Sequence, residues 1–214
     1  MTRLAAGDRV LLVGAGRFAE EITDLALDAG VVVAAWIEGL DPGRADPSHD
    51  PPILWVDNQA VFEPDLPVLP AIGAVGRRAL VERLVDEGRS LATVVHPSAV
   101  VARSAILEPG CVVFPGVVVG AQSSIGRGTI LNRGSLIGHH VTVGEGSFIG
   151  PGANVGGGVV LGAEVQVGIG AVIRDGRRVD DRSVVGAGAV VVGDVAAAVT
   201  VVGVPARPMA PRAG

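Results

Sequence analysis

The chain has 214 residues and a formal net charge of -5, from 17 basic side chains, all Arg, against 22 acidic ones. With no Lys, no Tyr and 3% aromatic residues, it lacks the basic face with interleaved aromatics that nucleic acid requires. One cysteine, Cys111, excludes an intrachain disulfide and a Cys-cluster metal site. Hydrophobic residues make up 49% of the chain, yet no uncharged apolar run reaches the roughly 18 residues of a membrane span. Met1-Thr2-Arg3-Leu4-Ala5 opens no signal-peptide core, so a cytoplasmic protein without membrane insertion is expected.

Residues 8–13 read as a short apolar strand running into Gly14-Ala15-Gly16-Arg17-Phe18-Ala19. Residues 20–29 then carry polar and apolar side chains at helical spacing, and residues 31–37 form a second apolar strand closed by Glu38. Strand, glycine turn, helix and strand in this order make a unit of the mononucleotide-binding kind. Its glycines let backbone N–H groups and a helix N-terminus approach a phosphate. An acidic residue about 20 positions on accepts from ribose hydroxyls, and Glu38 stands 22 residues after Gly16. Such turns also occur for packing alone, so both readings stand at this point.

Residues 40–52, rich in Pro, Asp, Gly and Ser, read as a solvent loop in which His49 is solvated. Residues 68–73 are a third apolar run, ending on Ile72-Gly73. Residues 76–88 form an amphipathic helix with Leu80, Val81, Leu84 and Val85 on one side. The result is a parallel α/β domain of about 90 residues, too small for two dinucleotide-binding halves, which disfavours a dehydrogenase.

From residue 95 to residue 191 an aliphatic side chain falls on every sixth position without interruption: Val95, Val101, Leu107, Val113, Val119, Ile125, Leu131, Ile137, Val143, Ile149, Val155, Leu161, Val167, Ile173, Val179, Val185 and Val191. Gly often follows directly, and a small residue such as Thr129, Ser135, Ala153 or Ala189 sits four places on. Period six belongs to neither a helix nor a paired strand. A repeat this short must stack on copies of itself to bury an apolar face, which describes a β-solenoid. The aliphatic residue points inward, and Gly relieves a clash or a positive φ at each corner. Drifting spacing, expected of ordinary buried strands, is absent. His96 precedes the regular coils and reads as a capping residue. After Val191 the pattern decays through Gly203-Val204-Pro205-Ala206 into a short tail.

If three hexads make one triangular coil, residues three hexads apart stack directly. Gly157 then lies one coil above His139, offering a bare backbone N–H beside an imidazole, with Asn132 at the preceding corner. Pro151, Ile169 and Ala187 stack into a narrow apolar groove expected beside this column. A His next to an uncovered N–H is what acyl transfer needs, a general base and an oxyanion donor. His139 is equally readable as a turn residue on a polar coil edge.

Residues 119–152, with Asn132-Arg133-Gly134-Ser135-Leu136-Ile137-Gly138-His139 and Phe148-Ile149-Gly150-Pro151-Gly152, resemble the hexapeptide-repeat acyltransferases. The chain is more narrowly similar to the bacterial sugar-nucleotide N-acetyltransferases and sialic acid O-acetyltransferases, through the Gly14-Ala15-Gly16 turn, residues 37–42, Ile72-Gly73 with Arg77 following, the Val95-His96-Pro97-Ser98-Ala99 start, the Asn132/His139 pair and the closing Gly203-Val204-Pro205-Ala206. The resemblance implies an N-terminal Rossmann-like domain (1–92), an all-β left-handed parallel β-helix (93–195), a C-terminal tail (196–214), and a homotrimer with active sites between adjacent β-helices. It implies acetyl-CoA as donor, no metal, and an amino sugar on a nucleotide as acceptor. Carried over, His139 is the base with Asn132 beside it in the motif. Phe148, Gly157, Ile169 and Ala187 face acetyl-CoA, and Gly14, Ala15, Gly16, Arg17, Glu38 and Gly73 face the nucleotide sugar.

Two positions depart from the family. His140 stands where an acidic residue usually orients the catalytic ring, and Phe148 where a second His is common. Three other readings remain open: O-acetylation of a sugar hydroxyl, a non-catalytic sugar-nucleotide binding protein, and a γ-type carbonic anhydrase. The last would need three His ligands, where the coils proper offer only His139 and His140.

Overall fold

The computed structural model describes residues 2–57 and 65–209. The first part contains β1 (Thr2–Arg3), β2 (Arg9–Val13), α1 (Arg17–Asp28), β3 (Val32–Glu38), β4 (Ile53–Trp55), β5 (Val68–Pro70) and α2 (Arg77–Asp86). β2 to β5 form one parallel sheet in the order β4-β3-β2-β5. α1 starts at Arg17, earlier than the residue pattern suggests, because Gly16 takes the extended N-cap conformation. Ala19, Ile22, Leu25 and Ala26 form its buried stripe. The third apolar run is a strand only as far as Pro70, after which the chain turns.

β6 (Ala92–Val95) opens the solenoid. Successive two-residue strands join three parallel sheets in strict rotation. One sheet holds Ile130–Leu131 and Phe148–Ile149, the next Leu136–Ile137 and Asn154–Val155, and the third Thr142–Val143 and Val160–Leu161. We refer to these as the Phe148, Leu136 and Thr142 faces. Each residue pairs with the one three hexads on, as in Leu136↔Asn154 and Asn154↔Val172, which is the stacking the aliphatic column predicts. Every member of that column is buried except Val101, which is partly buried against the same core.

Glycine serves two purposes at the corners. A Cβ on Gly138 would stand 2.7 Å from the Gly157 nitrogen one coil up, so close stacking of the backbones excludes it. Two positions after such a glycine comes a left-handed residue, Gly158 with φ +66 for example. Buried hydroxyls stitch the corners together: Ser123 Oγ donates to the Gly138 carbonyl at 2.8 Å and accepts from the Val141 N–H at 3.1 Å.

The regular pairing ends with the last coil. Val184 pairs with Thr200 and Val185 with Val201, a coil two residues shorter than the others, which is why the repeat decays after Val191. Arg207–Pro208 then folds back antiparallel on Thr200–Val202. Part of the expected tail, residues 200–208, is therefore strand and turn on the end of the Phe148 face, and residues 210–214 lie outside the described residues.

The α/β part packs on the Phe148 face and its flanking corners. β1 pairs with β6, so the chain's first strand extends the solenoid sheet, and Phe18 meets Phe114 with ring centroids 5.9 Å apart. His96 is held between Ser98 Oγ at 2.8 Å and Asp28 Oδ2 at 3.2 Å, a bridge from the first coil to α1. The firmest junction is Arg77, which is 0% exposed. Its Nη1 donates to the Pro70 and Ile72 carbonyls at 2.8 Å, Nη2 to Gly110 at 3.1 Å, and Nε to Gly128. All four acceptors are backbone carbonyls, two from each part. Burial pulls the guanidinium pKa down to about 10, so at neutral pH it is still a cation.

Candidate active site

Two places on the molecule concentrate polar chemistry. The first is a cleft of about 610 Å³ at the C-terminal ends of β2, β3 and β5, where open parallel sheets bind ligands. Gly14, Ala15, Gly16, Arg17, Glu38 and Gly73, all singled out from the sequence, line it together. Gly14 has φ +120, and a Cβ there would stand 2.9 Å from the Ala71 carbonyl oxygen, so only glycine lets the turn pass this close to the strand. Gly16 faces open space and caps α1 without a side-chain hydrogen bond. The helix N-terminus is therefore left with unsatisfied N–H groups at the cleft, the arrangement that favours an anion.

Glu38 is 2% exposed. Its Oε1 accepts from the Gly39 and Leu40 N–H groups at 2.9 and 2.7 Å. Oε2 stands 3.2 Å from Arg44 Nη1 but has no well-directed hydrogen bond; the ion pair is a contact of charge, and Oε2 keeps its acceptor capacity. Arg44 also donates from Nη2 to the Ala15 carbonyl, bridging the glycine turn and the end of β3. The sequence reading placed Arg44 in a solvent loop. Only its position shortly after Glu38 could have signalled the role.

The second place is the corner between the Leu136 and Thr142 faces. His139 lies against Gly157 as the stacking requires: a Cβ on Gly157 would stand 2.7 Å from His139 Nε2 and 2.8 Å from Cε1. His139 Nδ1 is 3.0 Å from His140 Nδ1, the rings meeting edge to face with centroids 5.2 Å apart. The Gly157 N–H is not bare. It donates to Asp175 Oδ1 at 2.9 Å, one coil further up the same column. Asp175 was not among the residues singled out, although it follows Gly157 by the same interval that separates Gly157 from His139.

Other residues from the sequence reading lie elsewhere. Asn132 is 5% exposed, at the corner between the Phe148 and Leu136 faces, and its Oδ1 accepts from the Arg133 N–H at 2.7 Å. Pro151, Ile169 and Ala187 stack above Arg133 along that corner. The apolar column therefore does not run beside His139 within one chain; the width of the Leu136 face separates them, because three corners share each coil. Phe148 is half-buried on the adjoining face. Among the described residues, no group of three His, Cys, Asp or Glu is placed to hold a metal, and no helix is long and apolar enough to cross a membrane.

Comparison with known proteins bears on both places. A family model described as bacterial transferase hexapeptide (six repeats) matches residues 122–157. A histidine-to-asparagine variant of perosamine N-acetyltransferase from Caulobacter crescentus, solved with CoA and GDP-perosamine, is 32% identical; the match covers 97% of this chain and 100% of that one, with a TM-score of 0.88. The acetyltransferase domain of PglB from Neisseria gonorrhoeae, solved with acetyl coenzyme A, is 29% identical over 95% of this chain and 100% of that one, with a TM-score of 0.85. WeeI from Acinetobacter baumannii is 26% identical over 94% and 99%, with a TM-score of 0.82. No curated protein sequence matches the chain.

Proposed function

We propose, starting from the fact that this chain belongs to the hexapeptide-repeat acyltransferases and within them to the sugar-nucleotide subfamily, that it moves an acetyl group from acetyl-CoA to the amino group of a nucleotide-linked sugar. The enzyme pairs a left-handed β-helix with an α/β part. The observation that carries the reading is the His139 ring lying on Gly157, in a chain whose 32% identical relative is an N-acetyltransferase solved with CoA and a GDP-linked sugar.

In this reading residues 1–92 are a Rossmann-like nucleotide-binding domain, residues 93–195 perform the transfer and residues 196–214 close the helix. The nucleotide's phosphates lie on the Gly14-Ala15-Gly16-Arg17 turn and the N-terminus of α1, and Glu38 Oε2 accepts from a hydroxyl or base donor. The sugar amine, neutral when it reacts, attacks the thioester carbonyl. His139 Nε2 takes the proton the amine loses, the Gly157 N–H stabilises the oxyanion once Asp175 yields it, and the tetrahedral adduct collapses with CoA thiolate as the leaving group. No covalent enzyme intermediate is involved, and Cys111 is fully buried away from this corner.

The distance between His139 and the Ile169/Ala187 column supports a homotrimer. Between the two corners lies the Leu136 face, whose outward residues Val100, Val118, Leu136 and Val172 remain exposed in a single chain. Packing this face against its copies covers that stripe and sets the His139 corner of one chain against the Ile169 corner of the next. The thioester then approaches His139 along the neighbour's apolar column. A cytoplasmic setting fits these substrates.

The test is thiol release from acetyl-CoA with GDP-, UDP-, dTDP- and CMP-linked amino sugars, scored by mass gain on the sugar. His139→Ala is expected to lower kcat by about 10²-fold or more while leaving nucleotide binding intact. Wild-type turnover in this variant would remove His139 from the mechanism; a protein that sediments as a monomer would remove the trimer, and a Leu136→Glu variant that stays assembled would remove the Leu136 face as its interface.

A further inference from the structure

His140 occupies a corner position that the coil above gives to Gly158 with φ +66 and the coil below to Gln122 with φ 61, and it holds the same left-handed backbone with φ 57. Side chains rarely adopt this conformation. Its consequence is specific: the ring turns back on its neighbour, and His140 Nδ1 comes to 3.0 Å from His139 Nδ1. Two neutral imidazoles joined through these atoms share one proton, so one ring donates and the other accepts. If His140 donated, His139 would carry its proton on Nε2 and would have no lone pair there to act as the base of the proposed function. If His139 donates, its Nε2 keeps a free lone pair beside Gly157 and His140 keeps its own Nε2–H toward water, both rings being exposed.

We propose that His140 is a positioning residue that accepts the His139 Nδ1–H and so fixes His139 in the tautomer whose Nε2 is free to act as a base. It takes by geometry the place of the carboxylate that commonly orients a catalytic histidine, but brings no negative charge. A carboxylate would stabilise the imidazolium and raise the basicity of His139; a neutral imidazole holds the tautomer without doing so. The pair works only while both rings are neutral, since a proton on His140 Nδ1 would turn its acceptor into a donor. The other charged side chains stacked in this corner are Arg103, two coils below, Arg174, Asp175 and Arg177, two coils above, and Asp194, which pairs with Arg177. They are common to every variant below.

The kinetic arms rest on the acetyl-transfer reading; the spectroscopic arm does not. Long-range ¹H–¹⁵N correlation on the assembled protein, with its 4 histidines labelled, is expected to show His139 as the Nδ1–H tautomer in the wild type and in His140→Asn. Asparagine suits the left-handed backbone and offers an acceptor oxygen in place of Nδ1. His140→Gly keeps the backbone, removes the acceptor, and should let His139 revert to the Nε2–H form, with kcat falling about tenfold or more and the KM for acetyl-CoA little changed. Asparagine should recover most of that loss. His140→Glu should also keep the Nδ1–H tautomer, because a carboxylate oxygen accepts where the imidazole nitrogen did.

Wild-type kcat and an unchanged tautomer in His140→Gly would overturn the proposal. So would active enzyme with His139 in the Nε2–H form, leaving the acetyl-transfer reading intact. A wild-type Nδ1–H tautomer lost in His140→Gly, in a protein that transfers no acetyl group to any acceptor, would support the pairing and overturn the reaction reading instead.

Discussion

The N–H of Gly157, the residue stacked on the His139 ring, is held by Asp175 Oδ1 at 2.9 Å. The same relation recurs at the next corner, where Ala163 donates to Asp181 Oδ1 at 2.9 Å. These amides fall where the ladder hydrogen bonds skip a residue, so an aspartate one coil above satisfies a donor that would otherwise look to water. In the proposed mechanism the carboxylate at Gly157 also stands where the thioester oxygen would sit.

Asp175→Ala and Asp181→Ala separate the two effects. Each removes one exposed hydrogen bond to a backbone amide, and each is expected to cost about 1 kcal/mol in urea unfolding. Asp175→Ala alone should lower the KM for acetyl-CoA, because the donor no longer has to be vacated. Equal KM values in both variants would mean that Gly157 does not touch the substrate.

Glu38→Gln should weaken binding of the nucleotide portion by about tenfold in titration calorimetry, since a charged acceptor becomes a neutral one. The KM for acetyl-CoA should stay put, because the cleft lies in the α/β part. A matching rise in both would point to a general loss of structure around Arg44.

Much of this geometry is legible from residue spacing. The aliphatic column gives the hexad, and three hexads to a coil place Gly157 on His139. The same counting reaches Asp175, which went unused because an N–H on a coil edge was taken to be open. Spacing fails where distance is measured across a face. Ile169 and Ala187 follow their own column faithfully, but which corner a column occupies relative to His139 depends on the strands between them. Arg77 belongs to the residues that carry the resemblance, but its role was illegible for another reason: in sequence it is an Arg beside Arg78 at the start of an amphipathic helix. Only the approach of the Gly110 and Gly128 carbonyls makes it the central bolt.

Arg77→Met tests that bolt. Methionine fills much of the volume but leaves four backbone carbonyls without a donor, and the expected loss is about 3 kcal/mol or more. Proteolysis should then cut first in the α/β part, with the β-helix surviving as the resistant fragment.

Alkaline stability should carry the mark of Cys111. Burial pushes its thiol up to about 12 from 9.0, so above pH 9 the unfolded chain loses this proton while the folded chain keeps it. Folded protein then binds more protons, and stability falls as pH rises, by about 1.4 kcal/mol per unit at most. Arg77 acts in the opposite sense: its folded pKa of about 10 lies below the ordinary 12.5, so above pH 10 the folded state sheds this proton first and offsets the Cys111 slope. The decline is thus expected mainly between pH 9 and 10, and urea midpoints of Cys111→Ala should be flat across that interval. An undiminished slope in the variant would assign the titration to another group.

The in-register ladder that stacks Leu136 on Asn154 and Asn154 on Val172 also quantises how the β-helix can change in length. Deleting a single residue between His139 and Gly157 would rotate every later column by one place, moving buried aliphatics outward and taking both the glycine and its aspartate out from over the imidazole. Removing or adding one whole coil elsewhere would leave each corner intact and change only the height of the prism. Growth and loss in such a chain proceed by the coil, and a substitution at any column is read by the neighbours directly above and below it before any residue adjacent in sequence.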